Sequence, residues 1–131
     1  MALKISLKAG EKIIINGAVI VNGGERAQFV LQNRANIMRE KDIITEGEAD
    51  TPAKRLYFTI QLMHLFPENE RDHQENFNSF LQQFAQAVPS STPLLLEIGH
   101  KMIAGDSYGA LKKCRNLIRY EQEVMDYAGA A

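Results

Sequence analysis

Apolar and polar side chains alternate along the first 44 residues in short runs separated by turns. Between residues 3 and 8, leucine and isoleucine alternate with lysine and serine, the period of two expected of a half-buried β-strand. Asn16-Gly17 follows the next apolar run and favours a two-residue hairpin turn, because both central residues of that turn take positive φ. Further strands are predicted at 18–21, 28–31 and 37–43. The pattern therefore predicts five short antiparallel strands.

The pattern changes at residue 45. Residues 45–51 begin as a polar, acidic stretch without strand or helix periodicity, which indicates a linker. Thr51 and Pro52 then form a helix start, because threonine caps the first amides and proline fits the first helical position. The helix that runs from here to about residue 66 has a wide apolar surface, so we expect most of it to be buried.

Three further helices are predicted. The helix at 69–88 carries phenylalanines 77, 80 and 84 in a single stripe. This stripe is expected either to pack against a neighbouring helix or to form a groove for a partner peptide. A helix at 94–104 ends at Gly105, and the last begins at Asp106 or Ser107. The predicted fold class is α+β, with a small antiparallel β module (1–44), a linker (45–51) and a helical subdomain of three to four helices (52–131).

Composition limits the class of protein. The chain has 131 residues, of which 45% are hydrophobic and 24% are charged, as is ordinary for a folded domain. No apolar run approaches the roughly 20 residues of a membrane helix, so no membrane association is expected. A single cysteine, Cys114, excludes an internal disulfide and fits a reducing compartment. The expected location is the cytoplasm.

Charge is divided unevenly along the chain. Residues 1–44 hold seven Lys and Arg against four Asp and Glu, a net of +3. Residues 56–131 hold six against nine, a net of −3. A β module with basic turns is compatible with nucleic acid, whereas the acidic half suits protein contacts.

The residues give little support to catalysis. His64, His73 and His100 are isolated in the sequence, and none has the spacing of a zinc site. Cys114 lies on the apolar stripe of the last helix, which favours a buried structural thiol over a nucleophile. We therefore predict no enzyme activity, no catalytic residue, no cofactor and no metal.

Several segments resemble the FlbT family of flagellum biosynthesis regulators. They fall in order along essentially the whole chain, at 1–12, 15–20, 33–35, 38–43, 51–53, 55–58 and, in the Tyr-Gly-Ala-Leu-Lys-Lys run, 108–113. The resemblance implies a post-transcriptional regulator that acts on the 5′ untranslated region of flagellin messenger RNA and influences its translation and decay. It leaves open whether the effect is repression or activation. It also implies work alongside FlaF, another small flagellar regulator.

The β segment is also similar, more distantly, to the carbon-storage regulator CsrA, a small RNA-binding β protein that forms an interleaved dimer. The similar pieces are 3–8, Gly10-Glu11, 13–17 and 38–43. The similarity implies RNA contact at Arg39, with Ile5 and Lys8 near the same surface. This chain departs from that family at Leu7 and Met38, where CsrA carries residues that contact RNA.

Basic side chains near the turns provide a physical basis for RNA binding. We expect Arg34, Arg39, Lys8 and Lys12 to neutralise phosphates, and an arginine can also hydrogen-bond a base edge. Phe29, the single aromatic residue in 1–44, alternates with core positions, so no stacking platform is expected. The predicted RNA-binding residues are therefore Arg39, Arg34, Lys8, Lys12 and Ile5.

Two functions follow as hypotheses. In the first, the β module binds the flagellin mRNA leader, and the helices hold a protein partner or fix a dimer. In the second, the chain is an adaptor for flagellin or FlaF without RNA contact, and its aromatic helix grips a partner helix. A homodimer is expected because so short a five-stranded sheet buries little surface by itself and its first strand has a free edge. Packing onto the chain's own helices would protect that edge equally.

Overall fold

The computed structural model describes residues 2–130. Its contacts divide the chain into two compact units, Met1–Ile43 and Ile44–Ala131. The first contains strands and the second contains helices, so the predicted α+β class is confirmed.

The first unit is built of five strands in two antiparallel sheets. The strands are β1 (Leu3–Leu7), β2 (Lys12–Ile15), β3 (Ala18–Val21), β4 (Ala27–Leu31) and β5 (Ile37–Arg39). One sheet has the order β1-β4 and the other has the order β3-β2-β5. The prediction of a single five-stranded sheet is wrong, because β3 and β4 are consecutive but do not pair.

The last strand is shorter than predicted. It ends at Arg39, and the next three residues form a 3₁₀ turn, Glu40–Asp42. The N–H of Ile43 donates to the carbonyl oxygen of Glu40 at 3.2 Å and closes this turn. The sequence Glu-Lys-Asp has no apolar side chain to contribute to a sheet face, which explains the early end of the strand.

The hairpin turn and the core of the first unit follow the sequence pattern. Asn16 and Gly17 have φ of 49° and 83°, as the predicted turn requires. The core contains Ile5, Leu7 and Ile13, each exposed by 2% or less. Partly buried hydrophobic residues pack against this core, namely Ile15, Phe29, Leu31 and Ile37.

The second unit contains all four predicted α-helices. They are α1 (Pro52–Leu65), α2 (Glu70–Ala87), α3 (Thr92–Ile103) and α4 (Ser107–Ala130). Helix α1 packs against α2 and α4, and α3 packs against α4. Fully buried side chains from three of these helices form the core, among them Leu56, Ile60, Ile98, Leu111 and Leu117.

Side chains complete the helix starts. The Thr51 hydroxyl accepts the N–H of Lys54 at 3.3 Å, which confirms the predicted cap of α1. The Asp106 carboxylate accepts the N–H of Gly109 at 2.8 Å and caps α4. These bonds supply partners to amides that have none within the helix.

The segment predicted as a linker contains an ordered turn. The Thr45 N–H donates to the Glu48 carboxylate at 2.9 Å, and the Glu48 N–H donates back to the Thr45 hydroxyl at 3.2 Å. The backbone hydrogen bond from Thr45 is the main reason that the pKa of Glu48 is lowered. Just before the turn, the Gln61 side chain holds both main-chain groups of Ile44, at 2.9 and 2.8 Å. These bonds fix the start of the helical unit.

Candidate RNA interface

Arg39 lies at the end of β5 and is bonded to β1 and to the turn that follows β1. Its Nη1 donates to the Ser6 carbonyl oxygen at 3.2 Å and lies 3.7 Å from Oε2 of Glu11. The side chain remains 35% exposed. The guanidinium is therefore oriented by the protein while part of it still faces solvent.

The turn from Lys8 to Glu11 provides the surroundings of Arg39. The Glu11 carboxylate accepts the Lys8 N–H at 2.9 Å, and the Glu11 N–H donates to the Lys8 carbonyl oxygen at 3.0 Å. Gly10 has a φ of 78°, a conformation that costs little for glycine and more for other residues. Glu11 thus bonds to the turn through one carboxylate oxygen and pairs with Arg39 through the other.

Asn22 holds this turn from the other side. Its amide Nδ2 donates to the carbonyl oxygens of Leu7 and Lys8 at 3.0 and 3.1 Å and to that of Glu25 at 2.8 Å. In the sequence, Asn22 only begins an Asn-Gly-Gly run that is typical of a turn. Two of the three partners lie 14 and 15 residues away, so no local pattern could have indicated this role.

Three basic residues lie on neighbouring segments at this end of the first unit, and the main-chain N–H groups of two of them are bonded to carboxylates. The Lys12 N–H donates to the Glu40 carboxylate at 3.3 Å, which places Lys12 beside the end of β5. We call Lys8, Lys12 and Arg39 the basic cluster. The Arg39–Glu11 pair is partly exposed, and such pairs contribute only about 0–1 kcal/mol. A phosphate group can therefore compete with Glu11 for the guanidinium.

The remaining predicted site residues lie elsewhere. Strand register pairs Ile37 with Ile15, beside the Asn16 hairpin, so the start of β5 lies at the end opposite to Arg39. Arg34 precedes that start and is exposed. Ile5 is 2% exposed, so its side chain belongs to the core and we remove it from the candidate contacts.

The core also explains the departures from the CsrA pattern. Leu7 and Met38 are 1% and 2% exposed, so neither side chain can contact RNA. Phe29 packs against the core, as its alternation with core positions predicted. Within residues 2–44, the basic cluster therefore has no exposed aromatic ring beside it.

The side chains of His64 and Cys114 are buried in the helical unit. The Nδ1 of His64, whose residue is 3% exposed, lies 2.6 Å from the Ser107 hydroxyl. Cys114 is fully buried, and its Sγ donates to the Ala53 carbonyl oxygen at 3.6 Å. Burial, with a smaller contribution from the nearby Glu121 charge, raises the pKa of the Cys114 thiol strongly. The predicted buried thiol is confirmed.

Two searches over residues 2–130 bear on other classes of function. No three His, Cys, Asp or Glu side chains in this part of the chain lie close enough to hold a metal ion. Among the same residues, no helix is long and apolar enough to cross a membrane.

Comparisons with known proteins agree on one family. The family described as "Flagellar protein FlbT" matches residues 3–125. "Probable flagellum biosynthesis repressor protein FlbT" of Caulobacter sp. (strain K31) is 42% identical over 94% of this chain and 95% of its own length. "Probable flagellum biosynthesis repressor protein FlbT 1" of Bradyrhizobium diazoefficiens is 41% identical over 95% of this chain and 85% of its own.

A third relative, "Flagellum biosynthesis repressor protein FlbT" of Caulobacter vibrioides, is 38% identical over 99% of this chain and 94% of its own length. No solved structure matches the chain at a significant level. The resemblance found in the sequence segments is confirmed over nearly all of their span, and the chain belongs to the FlbT family.

Proposed function

We propose that this protein regulates flagellum biosynthesis by binding the 5′ untranslated region of flagellin mRNA through its β unit, in the cytoplasm. Its relatives carry the name of flagellum biosynthesis repressors, which supports a regulator. The observation that carries the RNA proposal is the basic cluster. Lys8 and Lys12 are bonded through their main-chain N–H groups to Glu11 and Glu40, and Arg39 pairs with Glu11, so the three basic residues lie on neighbouring segments.

The chemistry of the cluster suits single-stranded RNA. Lys8 and Lys12 provide exposed ammonium groups for phosphates, and Arg39 provides a planar fork that fits a phosphate or a base edge. RNA loops present unpaired bases at the surface, so a protein can bind them without a deep pocket. Arg39 is already oriented by Ser6, which reduces the conformational entropy lost on binding.

We propose further that the protein acts as a homodimer joined at β3. This strand is an edge of its sheet, and its sequence is Ala-Val-Ile-Val without a charge or a proline. Val19, Ile20 and Val21 are 63%, 40% and 52% exposed. Proteins usually protect such edges with charges, prolines or a covering element, and pairing with a second copy would provide that cover. A dimer would also present two basic clusters to one RNA.

The test is a titration of flagellin leader RNA with full-length protein at fixed salt, since phosphate contacts make affinity steeply salt-dependent. Arg39→Ala should weaken binding about tenfold or more, the loss expected for a charged contact. Glu11→Gln removes the competing carboxylate and leaves the cation, so its affinity should equal or exceed that of the wild type. Arg71→Ala, at an exposed position of α2, is the matched control.

Arg39→Ala also loses the bond to Ser6, so its folding is checked by thermal unfolding. Wild-type affinity in a folded Arg39→Ala protein would disprove the site. Absence of specific leader binding by the wild type, free of FlaF and flagellin, would disprove the RNA function and leave the adaptor hypothesis.

A further inference from the structure

The helical unit carries an apolar groove of about 410 Å³ between the start of α1 and the second halves of α2 and α4. Phe84 lines it and is only 3% exposed, so it forms part of the floor. Phe80 and Val124 are half-buried in the walls, and Met125 is 50% exposed at the rim. The groove therefore offers apolar surface to a ligand without any opening of the helix packing.

Two charged residues line the groove, and only one of them is available to a ligand. The Glu121 carboxylate accepts the Ala53 N–H at 2.8 Å, and Glu121 is 8% exposed. The Arg55 side chain is exposed, and within residues 2–130 it has no carboxylate at ion-pair distance. The accessible charge of the groove is thus positive, although the net charge of residues 56–131 is negative.

The backbone around the groove restricts the mode of recognition. All three walls are α-helices, whose main-chain groups are bonded within the helix, so the groove has no strand edge to which an extended peptide could add. Binding must use side chains, and an amphipathic helix places apolar side chains one turn apart on a single face. The flexible thioether of Met125 can adjust to such side chains.

We propose that this groove docks an amphipathic helix of a partner protein, with two apolar side chains against Phe80, Phe84 and Met125 and a carboxylate of the partner against Arg55. The inference is independent of RNA binding, because every residue in it belongs to the helical unit. With this groove, the stripe of phenylalanines on α2 has both roles that the sequence suggested, packing against a neighbouring helix and forming a groove for a partner. Phe77 is buried by packing, whereas Phe84 forms the floor and Phe80 a wall of the docking surface.

The probe is a fluorescein-labelled, alanine-based helical peptide with two leucines one turn apart and a glutamate beside them. A second peptide carries lysine in place of the glutamate. Full-length protein is titrated into each and binding is followed by fluorescence anisotropy. The glutamate peptide should bind about tenfold tighter than the lysine peptide, because only its charge complements Arg55. Arg55→Glu should reverse this preference, a gain of binding that a merely damaged protein would not show.

Met125→Asp should remove binding of both peptides. Its control is Tyr127→Asp, an equally polar change on α4 at a residue that is 80% exposed and does not line the groove. The proposal fails if the wild type binds neither peptide, if the two aspartate variants lose binding equally, or if Arg55→Glu leaves the preference unchanged. It also fails if Met125→Asp turns a dimer into a monomer, since a second copy would then occupy the groove.

Discussion

The Glu121 carboxylate accepts the main-chain N–H of Ala53 at 2.8 Å, a bond that joins residues 68 positions apart. Both residues are buried, with exposures of 8% and 0%. The first amides of a helix lack partners inside it, and the helix dipole favours a negative charge near them. Helix α4 therefore caps the start of α1 as well as packing against it.

This bond predicts a difference between two substitutions of Glu121. Glu121→Ala leaves the Ala53 N–H buried without a partner, which should lower the free energy of unfolding by about 1–3 kcal/mol. Glu121→Gln keeps a carbonyl acceptor and should lose less. Urea unfolding of both variants measures the difference, with Glu123→Ala at an exposed position as the control. Equal losses for Ala and Gln would show that the hydrogen bond is not the cause.

A Cβ at Gly109 should displace the Asp106 carboxylate that caps α4. A Cβ built at Gly109 collides with the Asp106 carboxylate, which accepts the Gly109 N–H. We expect Gly109→Ala to displace the cap, a loss of about 1 kcal/mol that the higher helix propensity of alanine partly offsets. Asp106→Ala loses the cap without that offset and should cost about 1 kcal/mol. Because both changes remove one interaction, the double variant should be little worse than either single one in thermal unfolding, and additive losses would contradict this account.

The Cys114 thiol should be inert in the folded protein. Burial raises its pKa, so at neutral pH it is protonated and not the nucleophilic thiolate, and its residue has no exposed surface. A thiol reagent such as dithionitrobenzoate should react with Cys114 only after unfolding. The rate of modification should therefore not exceed the rate of unfolding. The same reagent in denaturant provides the control for an intact thiol. Rapid reaction of native protein would contradict the burial.

The exposed edge at β3 predicts how a single charge affects association. Val19→Lys places a charge on the edge that we propose to join two copies, and light scattering should show a monomer at concentrations where the wild type is a dimer. Ile103→Lys is the control, because Ile103 is 87% exposed on α3. A wild type that stays monomeric at high concentration would exclude the dimer, and a dimer that survives Val19→Lys would place its interface elsewhere.

The local elements could be predicted from the sequence because their signals are local. The Asn16-Gly17 turn requires two adjacent residues at positive φ, and Thr51-Pro52 needs only neighbouring amides. The helix order and the buried positions of Cys114 and Phe84 follow from a periodicity that one short segment contains in full. Family membership is likewise carried by segments that remain in order along the chain.

The candidate site could be predicted only in part. Arg39 and Lys8 were identified as cations, but their relation depends on Glu11, Ser6 and Asn22, which come from other strands and turns. Ile5 was assigned to the site because the similarity to CsrA implied a position near the RNA surface, whereas its side chain lies in the core.

By itself, the sequence determined the kinds of element, their order, the caps at their starts and the family. Tertiary structure alone decided that β3 and β4 do not pair and that Glu121 of α4 caps α1. It also decided that Arg39, Lys8 and Lys12 lie on neighbouring segments while Arg34 lies at the other end of β5. The physical reason is distance along the chain. Turns and caps depend on residues within about four positions, whereas pairing and charge clusters depend on which distant segments packing brings together.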